Sequence, residues 1–517
     1  MGLKKGENRS QFRMLCSEEL VEADDMVRVI DAFVDALDMD SFGFESKGES
    51  DVGRPAFSNE VMLKIFLFCY MINVRNSRGI AKACRYDVRI WWLAEGLKPK
   101  YRVVADFRKN NKTCFKKVFR SFTLLLQRNK LITGKIIAVD GTKIKASNSR
   151  KNNYSEKKFE KVLKHADEQI EQYIADLDAA DKRYDEEEAS KINGRLAQVQ
   201  ERKQDRLKLL EKMENEGLNQ ISKVDEDAKL MHLKLSHTEM AYNVQAATCA
   251  ENNLIVDFEV TNETDTYALH NVCTSTQDLL GIKRIKVLAD TGYYTGLELR
   301  KCKESKIETY VSPKASGPKK ESDYGIKKFK YNKKKDCYVC PAGKALKTDG
   351  KWKTKTESRK NHKPYLYKRY KADRKVCHTC PFKEKCLSAS TIEKNSGKVI
   401  ERNEYQDYKD ANDKRIAENK EFYRTRQQIV EHPFGTIKRA WGIGYTLLRT
   451  MPKVEAEMAL AFLGYNILRA KNIMGTEELI KKLKRVKIRF VFMLKRIFDQ
   501  FIAVLSYFFH DEKLAII

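Results

Sequence analysis

Lys135-Ile136-Ile137-Ala138-Val139-Asp140-Gly141-Thr142 is a short apolar run, rich in β-branched residues, that closes on a carboxylate. Such a run, bounded by a turn former, reads as a buried strand with an acid standing where the strand leaves the core. Gly141 permits a turn and Lys143-Ile144-Lys145-Ala146 resumes alternation, so the segment predicts a β-hairpin that starts at a buried strand. The same grammar returns 150 residues later in Ile285-Lys286-Val287-Leu288-Ala289-Asp290. Between the two lie strand-like Tyr242-Asn243-Val244-Gln245 and Leu254 to Val260, parted by the turn formers Glu251-Asn252-Asn253, and then a helical pattern from Tyr267 to Leu280. Strand, hairpin, helix and strand in that order predict an α/β core.

Working outward, residues 155–215 switch to two charged helices. Phe159, Leu163, Ala166, Ile170, Tyr173 and Leu177 form one apolar stripe, and Ile192, Leu196, Val199, Leu207, Leu210 and Met213 the other. An antiparallel helical hairpin is expected, with acidic Asp185 to Glu188 marking it as an arm or protein contact rather than a DNA surface. Upstream, helical spacing over residues 17–40 breaks at Gly53-Arg54-Pro55 before a stronger helix from Asn59 to Ile72. Segments Arg78 to Cys84 and Asp87 to Leu93 have the punctuation of a helix-turn-helix. Arg75, Arg78, Lys82, Arg85, Arg89, Lys98, Lys100 and Arg102 decorate this block, which favours DNA contact over a plain bundle. Downstream, residues 318–405 turn Lys-rich and Cys-rich, and an apolar helix from Lys453 to Ile473 packs back.

The composition points the same way. The chain has 517 residues with 100 Lys and Arg against 72 Asp and Glu, a formal charge of +28, so polyanions are the expected partners. With 24 Gly and 9 Pro, collagenous and low-complexity classes are excluded, and 42% hydrophobic content argues against global disorder. The one greasy stretch, Phe490 to Phe509, is broken by Lys495, Arg496 and Asp499, short of the ~20 clean residues a bilayer span needs. The first residues are polar and lead into Glu18-Glu19, with no secretory pattern. The chain therefore reads as cytoplasmic and nucleoid-associated, without a membrane partner, and its cysteines as reduced thiols.

Asp140 and Asp290 at two strand ends suit a hard divalent ion, which takes oxygen ligands and bridges to substrate phosphate. A third acid lies in Tyr423-Arg424-Thr425-Arg426-Gln427-Gln428-Ile429-Val430-Glu431-His432-Pro433-Phe434-Gly435-Thr436-Ile437-Lys438-Arg439. Glu431 precedes Lys438 by seven positions, two turns of a continuous helix, so acid and base would share one face.

These elements resemble the DDE-type transposases of bacterial insertion sequences. The likeness rests on Ala138-Val139-Asp140-Gly141-Thr142, Ala289-Asp290-Thr291-Gly292-Tyr293, and Val430-Glu431-His432-Pro433-Phe434-Gly435 with Lys438. It extends to Gly53-Arg54-Pro55, Ser77-Arg78-Gly79-Ile80-Ala81, Tyr242-Asn243-Val244-Gln245 and the Cys-rich insert. The resemblance implies a ribonuclease-H-like catalytic core and two Mg²⁺ ions, with Mn²⁺ able to stand in, held by Asp140, Asp290 and Glu431. It further implies cleavage at an element's end and attack of the freed 3′-hydroxyl on target DNA. Lys438, Arg439, Arg424, Arg426 and Tyr423 would contact DNA there, with Arg78, Lys82, Arg85 and Arg89 in the N-terminal block. One departure stands out: Tyr423, Arg426, Glu431 and Lys438 are separated by two, four and six residues where the family's signature has two, three and six. Arg426 then points away from Glu431 on a helix, and Arg424 is the replacement. Pro433 predicts that the helix starts or kinks beside Glu431, and His432 reads as structural.

Cys337-x-x-Cys340 and Cys377-x-x-Cys380 are two thiol pairs with the spacing of one tetrahedral Zn²⁺ site, and Cys386 is a substitute ligand. Around them, many lysines interleave with Phe329, Tyr331, Trp352, Tyr365, Tyr367 and Tyr370, which suggests a DNA track. Leu483, Val486, Phe490, Met493, Ile497, Phe501, Val504 and Phe508 repeat at three and four, a seam for another helix that would pair two copies or cover the core.

The expected organisation is a helical DNA-binding domain at 1–128 and a core at 129–310 carrying a hairpin insertion at 155–220. A basic zinc-knuckle insertion at 311–400, the rest of the core at 401–475 and a helical tail at 476–517 complete it. The partners expected are double-stranded DNA, as terminal repeats and target, and further copies of the chain in a homodimer or higher oligomer. A transposase-derived regulator without activity would keep the basic surfaces but need no acids, and a metal-dependent nuclease would cut without joining.

Overall fold

The computed structural model describes residues 10, 14, 16–45, 56–233, 238–314, 324–356 and 363–489. Gly53-Arg54-Pro55 and the seam from Phe490 to Phe508 lie outside them, as does the greasy stretch that begins at Phe490. Among the described residues no helix is long and apolar enough to cross a membrane.

In chain order, a helical block comes first, with α1 (Met26–Asp35), α2 (Asn59–Met71), α3 (Ser77–Tyr86), α4 (Val88–Leu93), α5 (Tyr101–Asn110) and α6 (Cys114–Arg128). Strand β1 (Ile136–Lys145) is followed by α7 (Glu156–Lys182) and α8 (Glu186–Asn215), then β2 (Lys229–His232), β3 (Thr238–Cys249) and β4 (Ile255–Thr261). Next come α9 (Leu269–Leu280), β5 (Ile285–Ala289), α10 (Gly296–Glu304) and β6 (Ile307–Val311). Six short strands follow: β7 (Lys330–Asn332), β8 (Cys337–Val339), β9 (Ala345–Thr348), β10 (Lys353–Lys355), β11 (Tyr365–Lys371) and β12 (Val399–Asn403). The described chain closes with α11 (Gln406–Glu418), α12 (Lys420–Phe434), a π-helical stretch Gly435–Ala440, α13 (Met451–Met474) and α14 (Thr476–Lys484).

The chain divides into two compact units. The first comprises Met1–Asp265, Ser275–Ile282 and Gln427–Ile517, and the second Thr266–Thr274 and Lys283–Arg426.

In the first unit β3 pairs antiparallel with β1, β2 and β4. The expected hairpin at Gly141 is absent: β1 runs straight through it for ten residues, with Asp140 opposite Ala246 and Gly141 opposite Gln245. Helix α13 packs on β4, where the buried Asn466 amide donates to Ile255 O (2.7 Å) and accepts from Ile255 N (3.0 Å). Phe119, Phe258 and Phe462 continue this core in edge-on contacts at 5.2 and 4.9 Å. Helices α7 and α8 form the expected hairpin, tipped at Arg183 to Asp185 and rooted in a cluster of Phe159, Met213 and Ile221.

The helix-turn-helix expectation is altered. Asp87 alone separates α3 from α4, its N–H closing α3 on Ala83 O while its carboxylate caps Arg89 N and Ile90 N. A helix-turn-helix uses a turn of three or four residues, and α4 spans only six with Ile90 and Leu93 buried. Arg75 is also removed from the DNA-facing set. It is 2% exposed and pairs at 2.9 Å with fully buried Glu457, whose carboxylate also accepts from Leu447 and Leu448 N–H. Burial pushes the Glu457 pKa up, opposed by Arg75 and Arg108.

In the second unit β5 and β6 pair in parallel. Helix α11 is fastened to the end of β6 by Asn412, which exchanges hydrogen bonds with Val311 O (2.7 Å) and N (3.0 Å), repeating the device of Asn466. The remaining strands form a separate antiparallel sheet in the order β10-β11-β9-β8-β7, with β12 on β11. Its core is Phe329, Tyr338, Leu346, Tyr370 and Ile400.

Candidate active site

The first acid stands on β1 in the first unit. Its chain neighbour Gly141 is enclosed: a Cβ there would lie 2.3 Å from Asp265 Oδ1, 2.6 Å from Gln245 Nε2 and 3.0 Å from Asn243 Oδ1. That enclosure leaves no room for a side chain, and pairing with β3 carries the strand straight through the glycine. Asp265 Oδ1 accepts from Asn243 Nδ2 (2.8 Å) and Gln245 Nε2 (2.7 Å), so the Asn and Gln of Tyr242-Asn243-Val244-Gln245 hold a further acid over β1. Asn243 is fully buried and its Oδ1 has no hydrogen-bond partner. Asp265 went unnoticed in the sequence because it closes no apolar run; the signal available was an Asn and a Gln alternating on one face of a strand otherwise buried.

The third motif reaches the same strand. Lys438 Nζ donates to Thr142 Oγ1 (3.0 Å) and Lys143 O (3.1 Å), beside Asp140 and Gly141. Glu431 is exposed on α12 and accepts from Gln427 Nε2 at 2.8 Å. Helix α12 neither starts nor stops at Glu431. It runs through Pro433, which lacks the N–H for the Ile429 carbonyl, and widens into the π-helical stretch with Trp441 N–H on Thr436 O (3.0 Å). Lys438 thus leaves the face that an unbroken α-helix would share with Glu431. His432 is exposed and is tied to Tyr465: Nδ1 lies 2.7 Å from Tyr465 Oη, which itself donates to Asn253 O, and partial burial lowers the His432 pKa. Arg439 is exposed.

In the second unit Asp290 follows β5 directly and caps a short turn, accepting from Gly292 N at 2.8 Å. Tyr423 Oη donates to Ala289 O (3.3 Å), so the start of α12 lies against the end of that strand. Arg424 is exposed and pairs with Glu421 at 2.6 Å; Arg426 is half-buried.

Of the N-terminal basic residues, Lys82 and Arg85 are exposed, Arg78 lies over Tyr101 at 5.5 Å, and Arg89 lies over Phe68 at 4.8 Å. Half of the six aromatics of the expected DNA track are buried. Phe329, Tyr367 and Tyr370 are buried, Trp352 is exposed, and Lys355, Lys368 and Arg369 pair with Glu401, Asp336 and Glu401.

The cysteines regroup. Cys340, Cys377, Cys380 and Cys386 line one cavity of about 40 Å³, whereas Cys337 does not. Burial pushes the Cys386 thiol up; Lys398 opposes this, and Cys377, Cys340 and Cys380 add to it. Among the described residues no three His, Cys, Asp or Glu side chains stand in metal-binding positions.

Residues 339–470 match the family model described as Transposase DDE domain, and residues 15–110 match Transposase domain (DUF772). The first match spans Glu431 and Lys438; neither spans Asp140 or Asp290. No curated protein and no solved structure matches the chain.

Proposed function

Because the chain belongs to the DDE-type transposases of insertion sequences, we propose that Asp140, Asp290 and Glu431 are its catalytic acids, in a ribonuclease-H-like core, and that it cuts element ends and joins them to target DNA. The observation that carries this reading is the seating of Lys438 on Thr142 and Lys143, which joins the motif of the third acid to the motif of the first across 296 residues. DDE transposase domains typically use divalent metal ions, and the three side chains offer oxygen donors, the type such an ion takes. Two Mg²⁺, when bound, would polarise the scissile phosphate and lower the pKa of the attacking water or 3′-hydroxyl.

The chain's own groups do the rest. Pairing with β3 keeps β1 extended through Asp140 and Gly141, and Asp265, fixed by Asn243 and Gln245, leaves room only for a glycine beside the first acid. Lys438 places a positive charge beside the first acid and ties the π-helical stretch to β1, while exposed Arg439 is free to take backbone phosphate. Arg424, seven residues before Glu431 on α12, shares its face, and Tyr423 steadies the helix on Ala289. Arg78, Lys82, Arg85 and Arg89 supply phosphate contacts from the N-terminal block. Bringing two ends together calls for a homodimer or higher oligomer.

Incubating the full chain with Mg²⁺, a labelled duplex carrying the DNA that flanks its gene, and a circular target tests the reading. Labelled ends covalently joined to the target are expected. Cleavage without joining would leave a nuclease, and binding without cleavage a regulator; either result overturns the proposal.

A further inference from the structure

The two Cys-x-x-Cys pairs share a spacing but not a conformation. Cys377 sits in the last turn of a short helix, Arg374–His378, and the chain turns back at once, with Cys380 N–H on Cys377 O at 3.3 Å. Cys337 opens strand β8, which pairs with both β7 and β9. Extended backbone advances ~3.3 Å per residue, which puts the Cys337 and Cys340 Cα atoms roughly 10 Å apart, too far for a shared knuckle. Alternation also separates them: Tyr338 faces the aromatic core with Cys340 packed against the same cluster, so Cys337 is turned to the other face of the strand.

Cys340 instead begins its own tight turn. Gly343 N–H donates to Cys340 O (2.8 Å), Cys340 N–H to Lys344 O (2.9 Å), and Lys344 N–H to the Cys340 sulfur (3.2 Å). Gly343 takes the positive φ, +77°, that closes this turn. That N–H fixes where the Cys340 sulfur stands. Cys386 enters from a third segment, Lys383–Cys386, whose carbonyl is held by Lys398 Nζ at 2.7 Å. Four thiols from a strand-end turn, a helix end and a following helical turn therefore surround one cavity of about 40 Å³. Lys344, Lys383 and Lys398 line the same cavity and offset the negative charge that four thiolates around one dication would leave.

We propose that Cys340, Cys377, Cys380 and Cys386 bind one structural Zn²⁺ and that Cys337 is not a ligand. Bound zinc would join the β8–β9 turn to the two short helices once rotation about the four Cα–Cβ bonds brings the sulfurs within reach of it.

The test uses the full wild-type chain, purified reduced and without chelator. Metal analysis is expected to return about one Zn²⁺ per chain. Alkylation mapped by mass spectrometry should find Cys340, Cys377, Cys380 and Cys386 protected until a chelator is added and reactive afterwards, with Cys337 unchanged. In variants, Cys386→Ser should lose the zinc and Cys337→Ser should keep it. Zinc neither present nor taken up on titration, chelator-dependent labelling of Cys337, or retained zinc in Cys386→Ser would each overturn the proposal.

Discussion

The site around the middle of β1 in the first unit and the thiol cavity of the second both gather polar side chains from distant parts of the chain, by opposite means. Around β1 the protein does the gathering itself: Asn243 and Gln245 hold Asp265, and Lys438 bonds back to Thr142 and Lys143. Around the cavity four sulfurs line one space with no side-chain bond joining them to one another. The first arrangement is built by packing and hydrogen bonds, and the second, on the zinc proposal, would be held by a ligand. Loss of metal should therefore loosen the thiol cavity while leaving the geometry around β1 in place.

The largest stability effect should come from Arg75, which shows how far the first unit is held by buried charge. Arg75→Ala leaves Glu457 buried without its partner and should cost about 3–5 kcal/mol, read by denaturant unfolding. DNA affinity per folded molecule should be unchanged, because Arg75 is 2% exposed. A DNA-binding loss at undiminished stability would return Arg75 to the DNA-facing set.

Gly141→Ala probes the self-built site directly. Its Cβ would meet Asp265 Oδ1 at 2.3 Å, so the strand or the acid must move. A loss of about 1–3 kcal/mol is expected, as for other overpacked sites, accompanied by a fall in cleavage that Asp265→Ala partly restores in the double variant. Unaltered stability and cleavage in Gly141→Ala would show that the enclosure tolerates a side chain.

Chelation gives the contrasting result. Removing zinc should lower the stability of the inserted sheet and its short helices, seen as faster hydrogen exchange over β8, β9 and residues 374–386, without change in β1 or β3. Equal protection with and without chelator would contradict the division between the two sites. The smallest effect belongs to Cys337→Ser, which should shift unfolding by less than about 2 kcal/mol.

Much of this was legible in the sequence, and the misreadings share a cause. The runs ending in Asp140 and Asp290, the strands around Val244 and Val256, and the hairpin at 156–215 follow from local periodicity, which survives folding. Gly141 and Cys337 were misread because a glycine or a Cys-x-x-Cys spacing carries its usual meaning only in a turn, and pairing with β3 in one case and with β7 and β9 in the other keeps both extended. Arg75 looked like its exposed neighbours because its partner Glu457 lies 382 residues away. Asp265 belongs to the same class: its two amide partners reach it only because β4 folds back along β3. Tyr367 and Tyr370 stand among lysines as in a nucleic-acid track, yet three residues apart on one strand they project to opposite faces, and both are buried.

The most direct measurement is single-turnover cleavage of an element-end duplex in Mg²⁺ by Asp140→Asn, Asp290→Asn and Glu431→Gln, each checked for an unchanged melting curve. Every variant should lose about 10³-fold or more in rate, the equivalent of ~4 kcal/mol of transition-state stabilisation. Wild-type cleavage by any one of the three folded variants would contradict a shared catalytic site.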